Sequence, residues 1–324
     1  MFNLVEKRRW YFLISALVIL PGIAIMIFST IQTGAPFRLS IDFQGGAIYD
    51  LTFTEQGATE ADIRAVFAQV GDDNVIIQRL GSEADAGLQW SVRGEEFNEQ
   101  LTDEVLTLLE EQIAPLDRET LRLETVSPTI GAEVTSAALA AVAMAALVIA
   151  GFIVVAFRQV PKALRYGVCA IAAMVHDVLL VMGVMSLLGL LFGWEVDALF
   201  LTAVLTVVGF SVQDSIVVFD RIRENIPIHV GEPYETIVNR SVWETIHRSL
   251  ATQLNAFFIM IAILLFGGET VQQFIFILFI GLLSGSYSSL FTAVPLLVAW
   301  EKGEIPFLRG DIEEATDDMQ VAPA

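Results

Sequence analysis

Asp214, in the stretch GFSVQDSIVVFD (209–220), is a carboxylate inside a run from Ala198 that is apolar enough to cross a bilayer. It lies about four helical turns into that run, where an unpaired carboxylate is costly and a functional role is the default reading. His176 and Asp177 are adjacent in a second apolar run, about eleven residues in and so near mid-bilayer. Arg248 opens a third, in TIHRSLATQLNAFF. Asp214 precedes Arg221 by seven residues, which puts it roughly 10 Å below the surface that Arg221 marks. Arg248 enters from that same surface, so the two depths match. A carboxylate balanced between burial and an opposite charge loads and releases a proton as helices move, the requirement for a proton relay.

Plainer readings stand beside this one. Arg248 alone reads equally as an arginine whose stem lies in the membrane and whose head reaches water. His176 and Asp177 read as a hydrogen-bonded pair that fixes packing. Asp214 reads as a clasp to Ser211 or Ser215, and Asp220, Arg221, Arg223 and Glu224 as a solvated helix end. Gly281, Ser284, Gly285, Ser288 and Ser289 stripe the last run at close-packing spacing, a pattern of helix–helix contact.

The elements that must position these residues are legible from hydropathy. The chain has 324 residues, 55% of them hydrophobic, a mean hydropathy of +0.64 and a net charge of −20. That composition leans towards membrane, and the acidity excludes nucleic acid as a partner. A single cysteine, Cys169, excludes an intrachain disulfide and a cysteine-based metal site. Three scattered histidines argue against zinc chemistry. Runs of about 20 apolar residues, the length a span needs, fall at 11–30, 136–157, 166–191, 198–219, 249–267 and 271–299. The first follows Lys7, Arg8 and Arg9 and reads as an uncleaved anchor, being longer than a signal core and without a cleavage site. Arg158, Lys162 and Arg165 fill one link, Arg221, Arg223 and Arg240 another, and Lys302 and Arg309 follow the last run. The short links at 193–197 and 267–270 hold no Lys or Arg. The positive-inside rule therefore puts both termini in the cytoplasm. The fourth and fifth spans are expected to be joined by a loop of about 28 residues.

Residues 31–134 form one large exported segment with roughly 20 acidic and 6 basic residues. Its pattern predicts strands at 47–53, 74–80, 88–93 and 120–126 and helices at 59–70 and 97–114, with Gly81 and Gly87 bounding a turn. The order βαββαβ predicts a ferredoxin-like sandwich. The expected fold is a polytopic α-helical membrane protein: six transmembrane helices, with this α/β domain between the first and second spans. Its parts are 1–30 (N-terminus and first span), 31–134, 135–300 (five spans) and 301–324, an acidic tail expected to be disordered.

At GFSVQDSIVVFDRIREN (209–225) the chain resembles the SecF family, the smaller partners in bacterial SecD–SecF pairs. SIDFQGG (40–46), HDVLLVMGVMSLLG (176–189), HRSLATQLNAF and LLFGGETVQQFIFILFIGLLSGSYSSL resemble its other motifs, in order and over residues 1–300. The family belongs to the resistance-nodulation-division superfamily, built from two six-span halves, of which this chain would supply one. The resemblance implies a heterodimer with SecD beside the SecYEG channel, with SecA and YajC as further partners. It implies an inner-membrane location and use of the proton motive force to draw unfolded polypeptide outward. Asp214 matches the family's intramembrane aspartate, and Arg248 the arginine that pairs with it functionally. Asp42, Gly45 and Gly46 match the motif joining span one to the exported domain, and Asp220 and Arg221 fall within the Asp214 motif. Gln213 stands where Asn is usual, Phe210 where Tyr is frequent, and Gln253, Asn255 and Ala256 interrupt a Ser/Thr-rich stretch. Asn255 remains a polar side chain for a relay. Protons are the expected coupling ion, sodium the alternative, and no cofactor or metal is implied.

Other classes are weaker. A self-contained lipid or drug transporter would carry both halves in one chain or a second exported loop. A passive scaffold has no need of intramembrane charge. Neither a nucleophile–base pairing nor a phosphate loop occurs, so no covalent catalysis is expected.

Overall fold

The computed structural model describes residues 3–73, 75–80, 88–95, 97–158 and 162–304. The predicted Gly81–Gly87 turn, the strand start at Asn74, Arg309 and the acidic tail lie outside the described residues. The chain divides into two units, residues 39–140 and residues 1–38 with 141–324.

In the first unit the element order is β1 (Gly46–Thr52), α3 (Glu60–Gln69), β2 (Ile76–Leu80), β3 (Gln89–Gly94), α4 (Glu99–Gln112) and β4 (Arg122–Val126), after a single helical turn, α2 (Ile41–Gln44). The strands lie in the order β2-β3-β1-β4 with every neighbour antiparallel. Alternation decides which face is covered. Ala47, Tyr49 and Leu51 on β1, with Phe53 beyond it, are buried at every second position, as a strand with one covered face requires. They pack with Ile63, Val66 and Phe67 of α3 and Val105 and Leu109 of α4. Both helices start on capping side chains: Thr59 Oγ1 accepts from the Asp62 amide at 3.3 Å, and Asn98 Oδ1 from the Leu101 amide at 2.9 Å. Residues 39–127 alone should therefore melt in one cooperative transition by circular dichroism. A gradual, non-cooperative melt would count against an autonomous core.

An exposed pair supplies a pH test in the same fragment. Arg118 donates to Glu110 through Nε at 3.0 Å and Nη2 at 2.8 Å and holds that carboxyl below its ordinary range. A depressed carboxyl contributes stability above its unfolded value, and that contribution fades as pH falls through the folded value. Solvent keeps the effect small. Arg118→Met should return the Glu110 titration, followed by NMR, to the ordinary glutamate range.

The motif SIDFQGG, expected as a junction, also forms the helical turn α2. Ser40 Oγ caps it, accepting from the Asp42 amide at 3.2 Å. Gly45 (φ 78°) and Gly46 (φ 119°) then turn the chain into β1, through backbone space that side chains rarely enter.

The second unit is helical. Among the described residues, six helices are long and apolar enough to cross a membrane: α1 (Arg8–Thr33), α5 (Pro128–Ala156), α6 (Ala163–Phe192), α7 (Ala198–Ile228), α8 (Tyr234–Phe266) and a sixth. The sixth is α9 (Glu269–Ser288) continued through a π-helical turn (Ser289–Ala293) into α10 (Val294–Glu301). The chain is thus a polytopic helical membrane protein, and α5 begins within the first unit. Small residues permit the tight crossings. A Cβ on Gly183 of α6 would lie 2.7 Å from the Gly22 Cα of α1, and one on Gly281 of α9 would lie 2.2 Å from a Val207 methyl of α7.

Basic side chains gather near one end of this bundle in ion pairs. Arg8 pairs with Glu235 at 3.2 Å and also with Glu304, Arg165 pairs with Glu301 at 2.5 Å, and Lys302 pairs with Glu235. Phe157, Tyr166 and Phe219 pack their rings together beside them, with centroids 5.3–6.3 Å apart. The expected loop of about 28 residues between spans four and five is instead mostly helix. Helix α7 continues to Ile228, α8 begins at Tyr234, and only residues 229–233 turn. At about 1.5 Å per residue each of these helices is about 45–50 Å long, against about 30 Å of hydrocarbon.

Candidate functional site

Helix α7 turns Ser211, Asp214, Ser215 and Val218 inward, the spacing of one helical face. Helix α8 answers with Ser241, Thr245, Ser249 and Gln253, a buried polar stripe at every fourth residue. Asp214 and Gln253 meet where the stripes converge: Gln253 Nε2 donates to Asp214 Oδ2 at 2.5 Å. The carboxylate is 6% exposed and its partner 4%. The Ser211 and Ser249 hydroxyls and Gln253 Oε1 are buried with no hydrogen-bond partner among the described residues. A group of this kind that stays unpaired costs about 1–3 kcal/mol.

The arginine is elsewhere. Arg248 is exposed, and among the described residues no ion pair joins it to Asp214. It precedes Gln253 by five residues, so it points about 140° away around α8. Matching depths made the pair plausible from sequence; the azimuth separates them in this conformation. Gln213 and Asn255, the other polar candidates near Asp214, are also exposed. In the sequence Gln253 stands out only as an interruption of a Ser/Thr-rich stretch. The signal that finds it is the four-residue repeat through Ser241, Thr245 and Ser249.

His176 and Asp177 form a distinct cluster. Asp177 is fully enclosed and accepts hydrogen bonds from Ser284, Ser288 and the His176 ring. Asp220 pairs with Arg223 at 2.7 Å, while Arg221 bridges Glu224 at 2.7 Å and Glu244 at 2.6 Å. The last contact ties α7 to α8, and Asn225 reinforces it by donating to Ser241 Oγ at 2.9 Å and to Glu244 at 2.8 Å. Asp42, Gly45 and Gly46 lie in the other unit, where the glycines allow close backbone contact. A Cβ on Gly45 would fall 2.6 Å from the Pro128 Cα, and one on Gly46 2.7 Å from the Gly94 carbonyl oxygen.

Comparison with known proteins gives consistent matches. Residues 105–303 match the C-terminal region of the protein export membrane proteins SecD/SecF, and residues 32–56 match the SecD/SecF GG motif. The protein translocase subunit SecF of Anaerolinea thermophila is 42% identical over 94% of this chain and 96% of its own. Its counterpart from Thermobaculum terrenum is 40% identical over 95% and 96%. Among solved structures, SecDF from Thermus thermophilus, a translocon-associated membrane protein, superposes with a TM-score of 0.73 at 30% identity. That match covers 93% of this chain and 39% of the SecDF chain. The chain thus spans about two fifths of the solved SecDF it resembles.

Proposed function

The chain belongs to the SecD/SecF family of protein-export membrane proteins, and on that footing we propose that it is the SecF-type half of a SecD–SecF complex that couples the proton motive force to late polypeptide export. The observation that carries this reading is Asp214, buried between α7 and α8 with, among the described residues, the Gln253 amide as its partner. Moving one charge across the membrane is worth about 2.3 kcal/mol per 100 mV, enough to bias a rocking motion of two halves. Arg248 joins the cycle in another conformation, when α8 turns or a partner helix brings it to the carboxylate.

The two-fifths coverage of the SecDF chain supports a SecD-like partner for the remainder. SecYEG, SecA and YajC would adjoin that complex in the inner membrane, with exported polypeptide as the substrate. The ion-paired end of the bundle supports placing both termini in the cytoplasm. The antiparallel 2-3-1-4 sheet with βαββαβ order supports reading 31–134 as an exported ferredoxin-like domain.

The Ser211, Ser249 and Gln253 oxygens, without a hydrogen-bond partner among the described residues, favour a second reading, sodium as the coupling ion, because hard cations take oxygen ligands. Vesicles holding this chain, a SecD-type partner and SecYEG decide between them. Export stimulated by a proton gradient and lost with a proton ionophore supports proton coupling. Loss only on collapsing a sodium gradient supports the second reading, and export indifferent to both overturns coupling altogether.

A further inference from the structure

We propose that His176 and Asp177 form a second proton-binding site within the helical unit, distinct from Asp214 and Gln253 and independent of the coupling role assigned to them. Asp177 Oδ1 accepts from Ser284 Oγ at 2.6 Å and from His176 Nδ1 at 3.0 Å, and Oδ2 accepts from Ser288 Oγ at 2.6 Å. Three donors thus converge on one enclosed carboxylate. A lone charge at this depth is costly, and among the described residues the one ion-pair partner of Asp177 is His176. One proton on the imidazole makes the pair neutral as a whole.

The remaining hydrogen bonds suit both states of the ring. His176 Nε2 lies 3.1 Å from Ser15 Oγ of α1, and Ser15 Oγ lies 3.3 Å from Thr292 Oγ1 in the π-helical turn. With the ring charged, Nε2–H donates to Ser15, whose hydroxyl donates on to Thr292. With the ring neutral and its proton on Nδ1, Thr292 donates to Ser15 and Ser15 donates to Nε2. Hydroxyl hydrogens rotate freely enough to reverse the chain. The heavy atoms stay put while the proton comes and goes, a property that packing alone does not call for.

Access and surroundings fit this use. Ser15, His176, Ser284 and Tyr287, together with five aliphatic side chains, line a crevice of about 210 Å³ between α1, α6 and α9. The other titratable groups nearby are Tyr287 of α9, whose ring centroid is 6.1 Å from that of the imidazole, and Tyr11 of α1, whose carbonyl accepts from the Tyr287 hydroxyl. Cys169 lies two turns away on α6, and Asp214 lies one turn beyond Ser211 on α7. Gly285 separates the two sites: a Cβ there would be 3.6 Å from Asp177 Oδ2 and 3.4 Å from the Ser211 Cα. The π-helical turn that carries Thr292 is itself a form frequent at functional sites.

The test uses the full chain in lipid nanodiscs, with ring charge read by nitrogen-15 NMR of labelled histidine between about pH 5 and 8, the window of imidazole titration. His229→Gln/His247→Gln leaves His176 as the single reporter. In that background Asp214→Asn should keep a ring that gains a proton within the window, and adding Asp177→Asn should abolish the gain. Ser15→Ala, which spares the pair and breaks the outer chain, should weaken proton uptake several-fold and decides the matter if Asp177→Asn fails to fold. A ring that stays in one state across the window in the Asp214→Asn protein overturns the site. Uptake unchanged by both Asp177→Asn and Ser15→Ala overturns it as well.

Discussion

Vesicles carrying Asp214→Asn should insert and assemble the chain normally yet lose gradient-driven export by at least about tenfold. Asparagine has the shape of aspartate, and its carbonyl oxygen still accepts from Gln253 Nε2, so the contact between α7 and α8 survives. On the proposed coupling, what disappears is the capacity to bind and release a proton, and with it the roughly 2.3 kcal/mol per charge per 100 mV that would drive the cycle, a factor of more than ten. Gln253→Leu makes a different error. It leaves the carboxylate buried without its donor and should lower thermal stability as well as export, because an orphaned charged group loses more than the bond itself. Arg248→Met should leave the melting temperature unchanged, since the exposed guanidinium has no ion pair with Asp214 in this conformation, and should still reduce coupling. Arg248→Lys should reduce it less. Full gradient dependence in the Asp214→Asn vesicles would remove this carboxylate from the mechanism.

Gly46→Val should destabilise the α/β unit by about 3 kcal/mol or more, the combined scale of strain at a positive φ and of overpacking. The residue sits at φ 119°, and its Cβ would press against the Gly94 carbonyl oxygen at 2.7 Å, where β1 pairs with β3. The closest atom is backbone and cannot swing away, and the Ile41 side chain stands at 3.4 Å beside it. Gly45 has the same problem against Pro128, at 2.6 Å. Gly46→Ala should cost less than valine but still shift the proteolysis of the full chain measurably. The neighbouring Gln44→Ala, exposed at the end of α2, is the control and should change nothing. Equal protease resistance in Gly46→Val and the parent chain would show that this turn does not need its glycine.

Much of this architecture could be read from residue patterns because the burial that drives it is periodic. Ala47, Tyr49, Leu51 and Phe53 alternate, and each expected strand lies within two residues of the one observed. Thr59 announces α3 by its cap. The reading failed where hydropathy and structure part company. Residues 220–247 are charged, so a hydropathy scan takes them for a loop, yet Arg221, Glu224, Asn225, Ser241 and Glu244 interlock as two helices. Residue counting gave the depth of Arg248 but not its azimuth, which depends on how α8 is rotated against its neighbours. Gln253 was hidden for the converse reason: its importance lies in what it faces, and only the packed helices define that. The short helix α2 left no periodic signal at all, since four residues are too few to show one.

Helices α7 and α8 run on past Asp214 as a braced pair, pinned by Arg221–Glu244 and by Asn225 with Ser241. From Asp214 to the turn at His229 the rise is about 22 Å, and the bracing makes that length behave as one lever. On the proposed coupling, its fulcrum would be the level at which the carboxylate sits. A tilt of about 10° there sweeps the tip by about 4 Å, most of one helical turn's rise. On the proposed coupling, the gain or loss of one proton deep in the bundle would thereby become a displacement large enough for another protein to feel at the bilayer's edge.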